Sequence, residues 1–398
     1  MSLNHAQTEA VAHNKGPCMV LAGPGSGKTL TIAKRIEYLI MKHKVRPEEI
    51  LVITFTKYAA WEMKNRTRSI CGPSSYAVTF GTFHGIYYGI LKWAYRLNQS
   101  NLLSDEEKYR ILREILPGID WDQEPEADEE KDYLQELAIE IGNVKNNCMD
   151  IEEYEPVKYT TEKFRKLYRT YEETKKKYRK IDFEDMLIQC RDLFMKRPDI
   201  LKKWQEKFQY ILVDEFQDVN QAQYDVVRML AAPQDNLFVV GDDDQAIYSF
   251  RGADPSYMHR FLEDYPKSRQ VKLNINYRCG DRILALAARS IAHNKYRFEK
   301  EIKAGNSGEN RVIAACFQNR AEELSFLTEE IMTHRNEGLT AILVRTNRMA
   351  EQVSEACFRR QIPYQMREKK QDFYAQKCVV EVLSVIRFVA EGRNRSDF

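Results

Sequence analysis

Two rhythms of apolar and polar positions alternate along the first hundred residues. Short strand-like runs at 18–22 (CMVLA), 49–55 (EILVITF) and 76–80 (YAVTF) are interleaved with stretches at 29–43 and 58–70 whose apolar residues recur at helical spacing. This alternation predicts a parallel sheet with crossover helices. It breaks near residue 98, and from there to about 209 the pattern is helical throughout. Strand signals return at 210–213 (YILV), 236–240 (NLFVV) and 269–275 (RQVKLNI). Residues 98–180 are therefore expected to be a helical insertion within one α/β domain. A second α/β rhythm starts near 280, with helices at 281–294, 320–335, 347–359 and 377–391. Strands are expected at 311–317 (RVIAACF) and 340–346 (TAILVRT), with IPYQM at 362–366 and a loop at 303–311.

A chain of 398 residues is long enough for two or three domains. The net charge of +2 means that any nucleic-acid contact must come from a local patch. The insertion offers one: residues 163–180 hold nine bases and two acids, whereas 120–140 hold ten acids and one base. A solvated helix face would have the same composition as the basic stretch, and both readings stay open. The eight cysteines form no C-x-x-C pair, which argues against a zinc site and a disulfide framework. No apolar run approaches the about 18 residues of a membrane span, and the N-terminus has no signal-peptide pattern. A cytoplasmic location is expected.

Three polar clusters follow strands. In AGPGSGKT (22–29), Gly23, Gly25 and Gly27 let the backbone turn sharply and aim N–H groups inward, with Pro24 and Ser26 completing a phosphate cradle before a helix N-terminus. Lys28 is suited to the β- and γ-phosphates of ATP, and Thr29 to Mg²⁺. Ala22 stands where the strict pattern has glycine. In YILVDEFQDVNQ (210–221), Asp214 is expected to hold Mg²⁺ through water and Glu215 to deprotonate the attacking water, from a strand adjacent to the cradle. Asp218 suits helix capping as well as chemistry. In VVGDDDQAIYSFRGAD (239–254), Gln245 can sense a γ-phosphate. Tyr248, Phe250 and Arg251 make either a base-stacking platform or part of a core.

In order, LNHAQTEAV (3–11), AGPGSGKT (22–29), ITFTKYAAWEMKNR (53–66), TFGTFHGI (79–86), DFEDML (182–187), ILVDEFQD (211–218), VGDDDQAIYSFRGAD (240–254) and LNINYRC (273–279) resemble the motifs of UvrD/Rep-type superfamily 1 DNA helicases. Weaker likeness runs through 341–366. The resemblance implies two RecA-like P-loop NTPase domains, the second incomplete. The first would comprise 1–97 and 181–278, with 98–180 as its inserted subdomain, and the second 279–398. It implies that Gln7 reads the adenine edge, that Tyr277 stacks on adenine, and that Arg278 reaches the γ-phosphate from the second domain across a cleft. Phe55, Thr56, His84, Tyr248, Phe250 and Arg251 would contact single-stranded DNA. The implied activity is ATP-driven 3′→5′ movement on single-stranded DNA, with single-strand/duplex junctions as substrates and no membrane association.

The sequence departs from the pattern at Lys57-Tyr58, where relatives usually have Asn-Lys, and at Phe250, where they usually have Trp. Two later motifs of the family are not found, and 373–398 resembles the lead-in to a large insertion. An N-terminal portion of a longer protein is therefore expected. The motor part of a helicase–nuclease subunit and a nucleic-acid-binding regulatory remnant without turnover are the alternatives. A small-molecule kinase would not account for Tyr277-Arg278.

Overall fold

The structure is a computed structural model describing residues 3–119, 130–247, 252–305, 311–334 and 338–366, with scattered positions between 379 and 386. The chain divides into two compact units, Met1–Arg311 and Val312–Phe398.

In the first unit, α1 (His5–Ala12) leads into β1 (Cys18–Ala22), α2 (Lys28–Met41), β2 (Ile50–Thr54), α3 (Lys57–Cys71), β3 (Thr79–Thr82) and α4 (Phe83–Tyr95). Helices α5 (Asp105–Ile115), α6 (Glu130–Asn146) and α7 (Thr161–Lys177) follow. The chain then runs through α8 (Phe183–Lys196), α9 (Pro198–Lys207), β4 (Tyr210–Val213), α10 (Gln221–Ala231), β5 (Leu237–Gly241), α11 (Ser256–Asp264) and β6 (Arg269–Leu273). A short β7 (Ile275–Asn276), α12 (Asp281–Ile291) and β8 (Lys303–Ala304) end the unit, with β7 and β8 paired in parallel.

Six parallel strands form the main sheet in the order β3-β2-β4-β5-β1-β6. Alternate residues face opposite sides, as the two-residue period of a strand requires. Met19, Leu21, Leu51 and Ile53 join a core with α4, α8, α10 and α11, whereas Cys18, Val20, Ile50 and Val52 join a core with α2 and α3. Each fully buried aliphatic side chain contributes about 1.5–3 kcal/mol. A one-residue slip would exchange the two faces, so the register is strongly specified. The expected strand at 76–80 forms instead at Thr79–Thr82, because Tyr76 and Val78 close the preceding 3-10 turn by donating to Pro73 O and Ser75 O.

Helices α5–α7 bury their own core, including Ile111, Leu112, Leu137, Ile141, Phe164 and Leu167. A charged cluster joins them to α8. Lys145 of α6 lies 2.7 Å from each of Glu172, Asp182 and Asp185, and Lys175 of α7 lies 2.8, 2.8 and 2.5 Å from the same three acids. Both lysines are buried, and Asp182 also caps the N-terminus of α8. Of the acid-rich stretch, residues 120–129 lie outside the described residues.

The second unit contains α13 (Arg320–Thr333) and α14 (Asn347–Arg359), capped by the side chains of Asn319 and Thr346. They meet through buried Val353 and Cys357 and an Arg320–Gln352 hydrogen bond of 3.2 Å. Both helices start where the sequence predicts. The strands expected at 311–317 and 340–346 are not formed, and 362–366 has no regular structure. β-branched residues favour strands only where a ladder and a buried face are available. Val312, Ile313 and Leu343 have neither, and Leu343 is 95% exposed. The expected helix at 377–391 and residues 306–310 of the expected loop lie largely or wholly outside the described residues.

Candidate nucleotide and nucleic-acid site

Because the main-sheet strands are parallel, their C-terminal ends share one edge, and the three polar clusters gather there. Ala22 ends β1 fully buried, leaving Gly23 to Gly27 to turn into α2. Gly25 (φ +62°) and Gly27 (φ +84°) occupy the left-handed region, which a side chain disfavours. Gly27 is the N-cap of α2, and no side chain caps it. The first N–H groups of a 14-residue helix are thus left to face the loop's concave side, with the positive end of the helix dipole. Ser26 Oγ donates to Gly23 O at 2.6 Å and tightens the loop from within.

Gln7 braces the loop from outside. Its Nε2 donates to Ser26 O at 2.9 Å, while its Oε1 accepts from Asn4 N at 3.0 Å in a capping box that starts α1. On the other flank, Asn276 Nδ2 donates to Pro24 O at 2.6 Å, and Tyr277 N donates to Gly25 O at 3.0 Å. Asn276 Oδ1 accepts from the N–H groups of Arg278 and Cys279 at 2.8 and 2.7 Å. Tyr277 Oη accepts from Asn4 Nδ2 at 2.8 Å. The sequence reading assigned nothing to Asn276; a polar residue before the Tyr-Arg pair was its only local signal.

Arg278 was expected to come from a second lobe. It lies on the turn after β7, within the same compact unit as the cradle. A Cβ built on Gly25 would come within 2.7 Å of Arg278 Cβ, so the two segments touch although Arg278 is exposed.

Strand β5 separates β1 from β4, so the expected adjacency of the cradle strand and the acidic strand does not hold. Side chains bridge the gap. Lys28 Nζ meets Glu215 Oε2 at 2.7 Å. Gln217 Nε2 donates to Glu215 Oε2 at 2.9 Å, and Gln217 Oε1 accepts from Asp242 N at 3.0 Å at the end of β5. Gln245 Nε2 donates to Asp242 Oδ2 at 2.5 Å. One line of hydrogen bonds, Lys28–Glu215–Gln217–Asp242–Gln245, therefore connects three strand ends. Gln217 and Asp242 are links that the sequence reading left without a role.

Glu215 has φ +52° and ψ +46°, a left-handed conformation that is uncommon for a non-glycine residue and concentrates at functional sites. Burial pushes its carboxyl up, but Lys28 and the Gln217 hydrogen bond together hold it below the ordinary value. Asp214 is buried, with no cation paired to it directly among the described residues. Burial, then Glu215, push it up to about 7. Asp214 Oδ1 accepts from Glu215 N at 3.0 Å. Asp218 is likewise pushed up to about 7, first by burial and then by Glu215, and its Oδ1 has no hydrogen-bond partner among the described residues. Asn220, not Asp218, caps α10. The Asp214 and Asp218 carboxylates at the end of β4 and the Thr29 hydroxyl in the first turn of α2 are oxygen donors, the chemistry that fits a hard divalent cation.

Near this edge lies a cavity of about 450 Å³, lined by Phe55, His84 and Asp218 of the sheet portion and by Lys108, Asn143 and Asn146 of the helical cluster. His84 meets Phe183 edge to face, with ring centroids 5.7 Å apart. Thr56 is exposed, but its hydroxyl accepts from Ala59 N and caps α3. Tyr248, Phe250 and Arg251 lie outside the described residues. Gly252, which follows them, sits against Asn146 in the cavity wall. Among the described residues, no helix is long and apolar enough to cross a membrane.

Comparison with known proteins extends this geometry. Residues 3–266 match the UvrD/REP helicase N-terminal domain, and 271–398 match the UvrD-like helicase C-terminal domain. The chain is 35% identical over 401 residues to a protein of Bacillus subtilis named putative ATP-dependent DNA helicase YjcD, covering 97% of this chain and 51% of that one. It is 34% identical over 404 residues to the ATP-dependent DNA helicase PcrA of Staphylococcus epidermidis, covering 99% and 54%. For PcrA of Staphylococcus aureus the identity is 33%, covering 98% and 54%. The chain thus spans about half the length of these curated relatives.

Proposed function

The chain belongs to the UvrD/Rep helicase family, and on that premise we propose that it hydrolyses ATP to drive 3′→5′ movement on single-stranded DNA, acting at single-strand/duplex junctions. The observation that carries the reading is the line Lys28–Glu215–Gln217–Asp242–Gln245, which links a phosphate cradle, an acidic pair and an amide across three strand ends. The N–H groups at the start of α2 and the Lys28 ammonium bind the phosphates. Lys28 then exchanges Glu215 for the nucleotide, and Glu215 turns to a water molecule. Glu215 takes the proton as the water oxygen bonds to the γ-phosphorus; the bond to the bridging oxygen breaks, and ADP departs. Mg²⁺, held by Thr29 and Asp214, supplies charge neutralisation when bound. Gln245 senses the γ-phosphate, Gln7 and Tyr277 hold the adenine, and Arg278 reaches the phosphates. Phe55, Thr56, His84, Tyr248, Phe250 and Arg251 hold the strand. Residues 98–180 act as a subdomain inserted into a first motor lobe of 1–97 and 181–278, and 279–398 as a second lobe.

ATP hydrolysis is measured with and without single-stranded DNA, and strand displacement on duplexes with a 3′ or a 5′ tail. DNA-stimulated turnover that disappears in Lys28→Ala and Glu215→Gln, with displacement from 3′ tails, is expected. Turnover indifferent to DNA, or a preference for 5′ tails, refutes the proposal.

A further inference from the structure

Beyond α12 the chain crosses from residue 292 to β8 as a strap without regular structure, and the strap is fastened to the Asp242–Asp244 turn. The Lys300 side chain is buried, with Nζ 2.5 Å from Asp242 Oδ1, 2.5 Å from Asp243 Oδ1 and 3.0 Å from Asp244 Oδ2. Arg297 grips Asp244 with two hydrogen bonds of 2.8 and 2.6 Å. Phe298 N donates to Asp243 Oδ2 at 2.6 Å, and its ring stacks on His259 at 4.1 Å. Three adjacent carboxylates could hold a cation, but here the Lys300 ammonium fills that place.

Asp242 shares its carboxylate between two partners: Oδ1 faces Lys300, and Oδ2 accepts from Gln245. Fixing one oxygen fixes the plane of the other. Lys300 thereby sets where the Gln245 amide points. The strap then enters β8, whose partner β7 carries Asn276 against the cradle, and Ile302 lies close beside Gly23. One segment thus touches both the sensing amide and the flank of the phosphate loop.

We propose that Lys300 is a positioning residue for Gln245, acting through Asp242, and that the 292–302 strap keeps the amide in register with the cradle. The inference rests on the proposed reading of Gln245 as the phosphate sensor. Neither the motifs nor the family comparison assigns Lys300 a role.

The test uses the full chain with Lys300→Met, Lys300→Arg and Arg297→Gln, and with Glu301→Gln as an exposed neighbouring control. Two quantities are read: steady-state ATP hydrolysis with single-stranded DNA, and the ¹⁵N side-chain amide resonance of Gln245, assigned by its loss in Gln245→Glu. At metal sites, loss of a hydrogen-bond partner that orients a ligand typically costs about 10–100-fold, and an orienting loss of that order is expected for Gln245. Lys300→Met is expected to lower kcat by about tenfold or more while KM for ATP stays within about twofold. The Gln245 resonance moves with it, Lys300→Arg restores most of both, and Glu301→Gln changes neither. A Lys300→Met protein with a lower melting temperature but unchanged kcat and Gln245 resonance overturns the proposal. If that variant does not fold, Arg297→Gln decides: a displaced Gln245 resonance supports positioning, and an unmoved one overturns it. If the wild-type chain hydrolyses no ATP, the proposed function fails, and the Gln245 resonance alone then decides the role of Lys300.

Discussion

Replacing Lys145 with Met tests how the helical cluster is held to the sheet. The two side chains have similar length, so the change removes a charge and leaves the packing nearly intact. Lys145 Nζ lies 2.7 Å from Glu172, Asp182 and Asp185. Without it, Lys175 is the one directly paired ammonium left among the described residues for three carboxylates, two of them buried, with Lys108 acting on Asp182 from farther off. Removing one partner of a buried ion pair costs about 3–5 kcal/mol, chiefly because the remaining charge stays desolvated. That is the loss expected at pH 7 in urea unfolding followed by circular dichroism, with faster hydrogen exchange in α6–α8. The pH dependence fixes the cause. In the wild type, burial pushes Asp182 up, but Lys145 and Lys175 outweigh it and hold Asp182 well below its ordinary value. The stability this contributes is present above the unfolded value and is lost only as the pH falls through the depressed one. Asp185 is already raised, first by burial and then by Asp182. In the variant Asp185 rises further and Asp182 is depressed less, so the variant's folded state binds protons more tightly than the wild-type folded state. The deficit must therefore shrink as the pH is lowered from 7 toward 5. Adding Asp185→Asn should recover part of the loss, because it removes one repelling charge. A loss below about 1 kcal/mol at pH 7, a deficit that grows on acidification, or strict additivity of the two substitutions would refute the reasoning.

Gly25→Ala should abolish nucleotide binding in calorimetric titration: the residue has φ +62°, and the added methyl would come within 2.7 Å of Arg278 Cβ. Asn276→Ala leaves Pro24 O and the N–H groups of Arg278 and Cys279 without their partner, so a loss of about 1–3 kcal/mol is expected. Thermal unfolding with and without nucleotide should show it, with a smaller ligand-induced shift than in the wild type. Burial pushes the Cys18 thiol up to about 12 and raises Cys190 well above its ordinary value, whereas Cys316 is exposed. A thiol reagent at pH 8, mapped by mass spectrometry, should therefore label Cys316 in the native chain, and Cys18 and Cys190 only after unfolding.

What could be read in the sequence was what is contiguous. The cradle and the acidic pair each occupy a few consecutive residues at a strand end, so their chemistry follows from local spacing. The β1–β2–β4–β5 strands were legible because every position in them is apolar or nearly so. Links between distant segments had no such signature. Gln217 lies beside quoted acids, yet only the sheet order, with β5 between β1 and β4, makes it the bridge between Glu215 and Asp242. Lys175 sits in the basic stretch 163–180, whose charge read as solvent-facing or nucleic-acid-facing, and Lys145 in no stretch singled out, because burial of a lysine depends on acids that are remote in sequence. In the second unit, apolar composition alone overestimated the strands at 311–317 and 340–346, where Val312, Ile313 and Leu343 find no ladder.

The strand order also has a consequence for biogenesis. β1 carries the phosphate loop, but both of its neighbours, β5 and β6, come from residues 237–241 and 269–273. During synthesis the loop's supporting strand must wait, unzipped, for more than two hundred further residues to leave the ribosome. Competence to grip a nucleotide thus arrives late and all at once, when the closing strands dock on either side, and nascent chains shorter than that point should neither retain ATP on an affinity resin nor resist protease across residues 18–27.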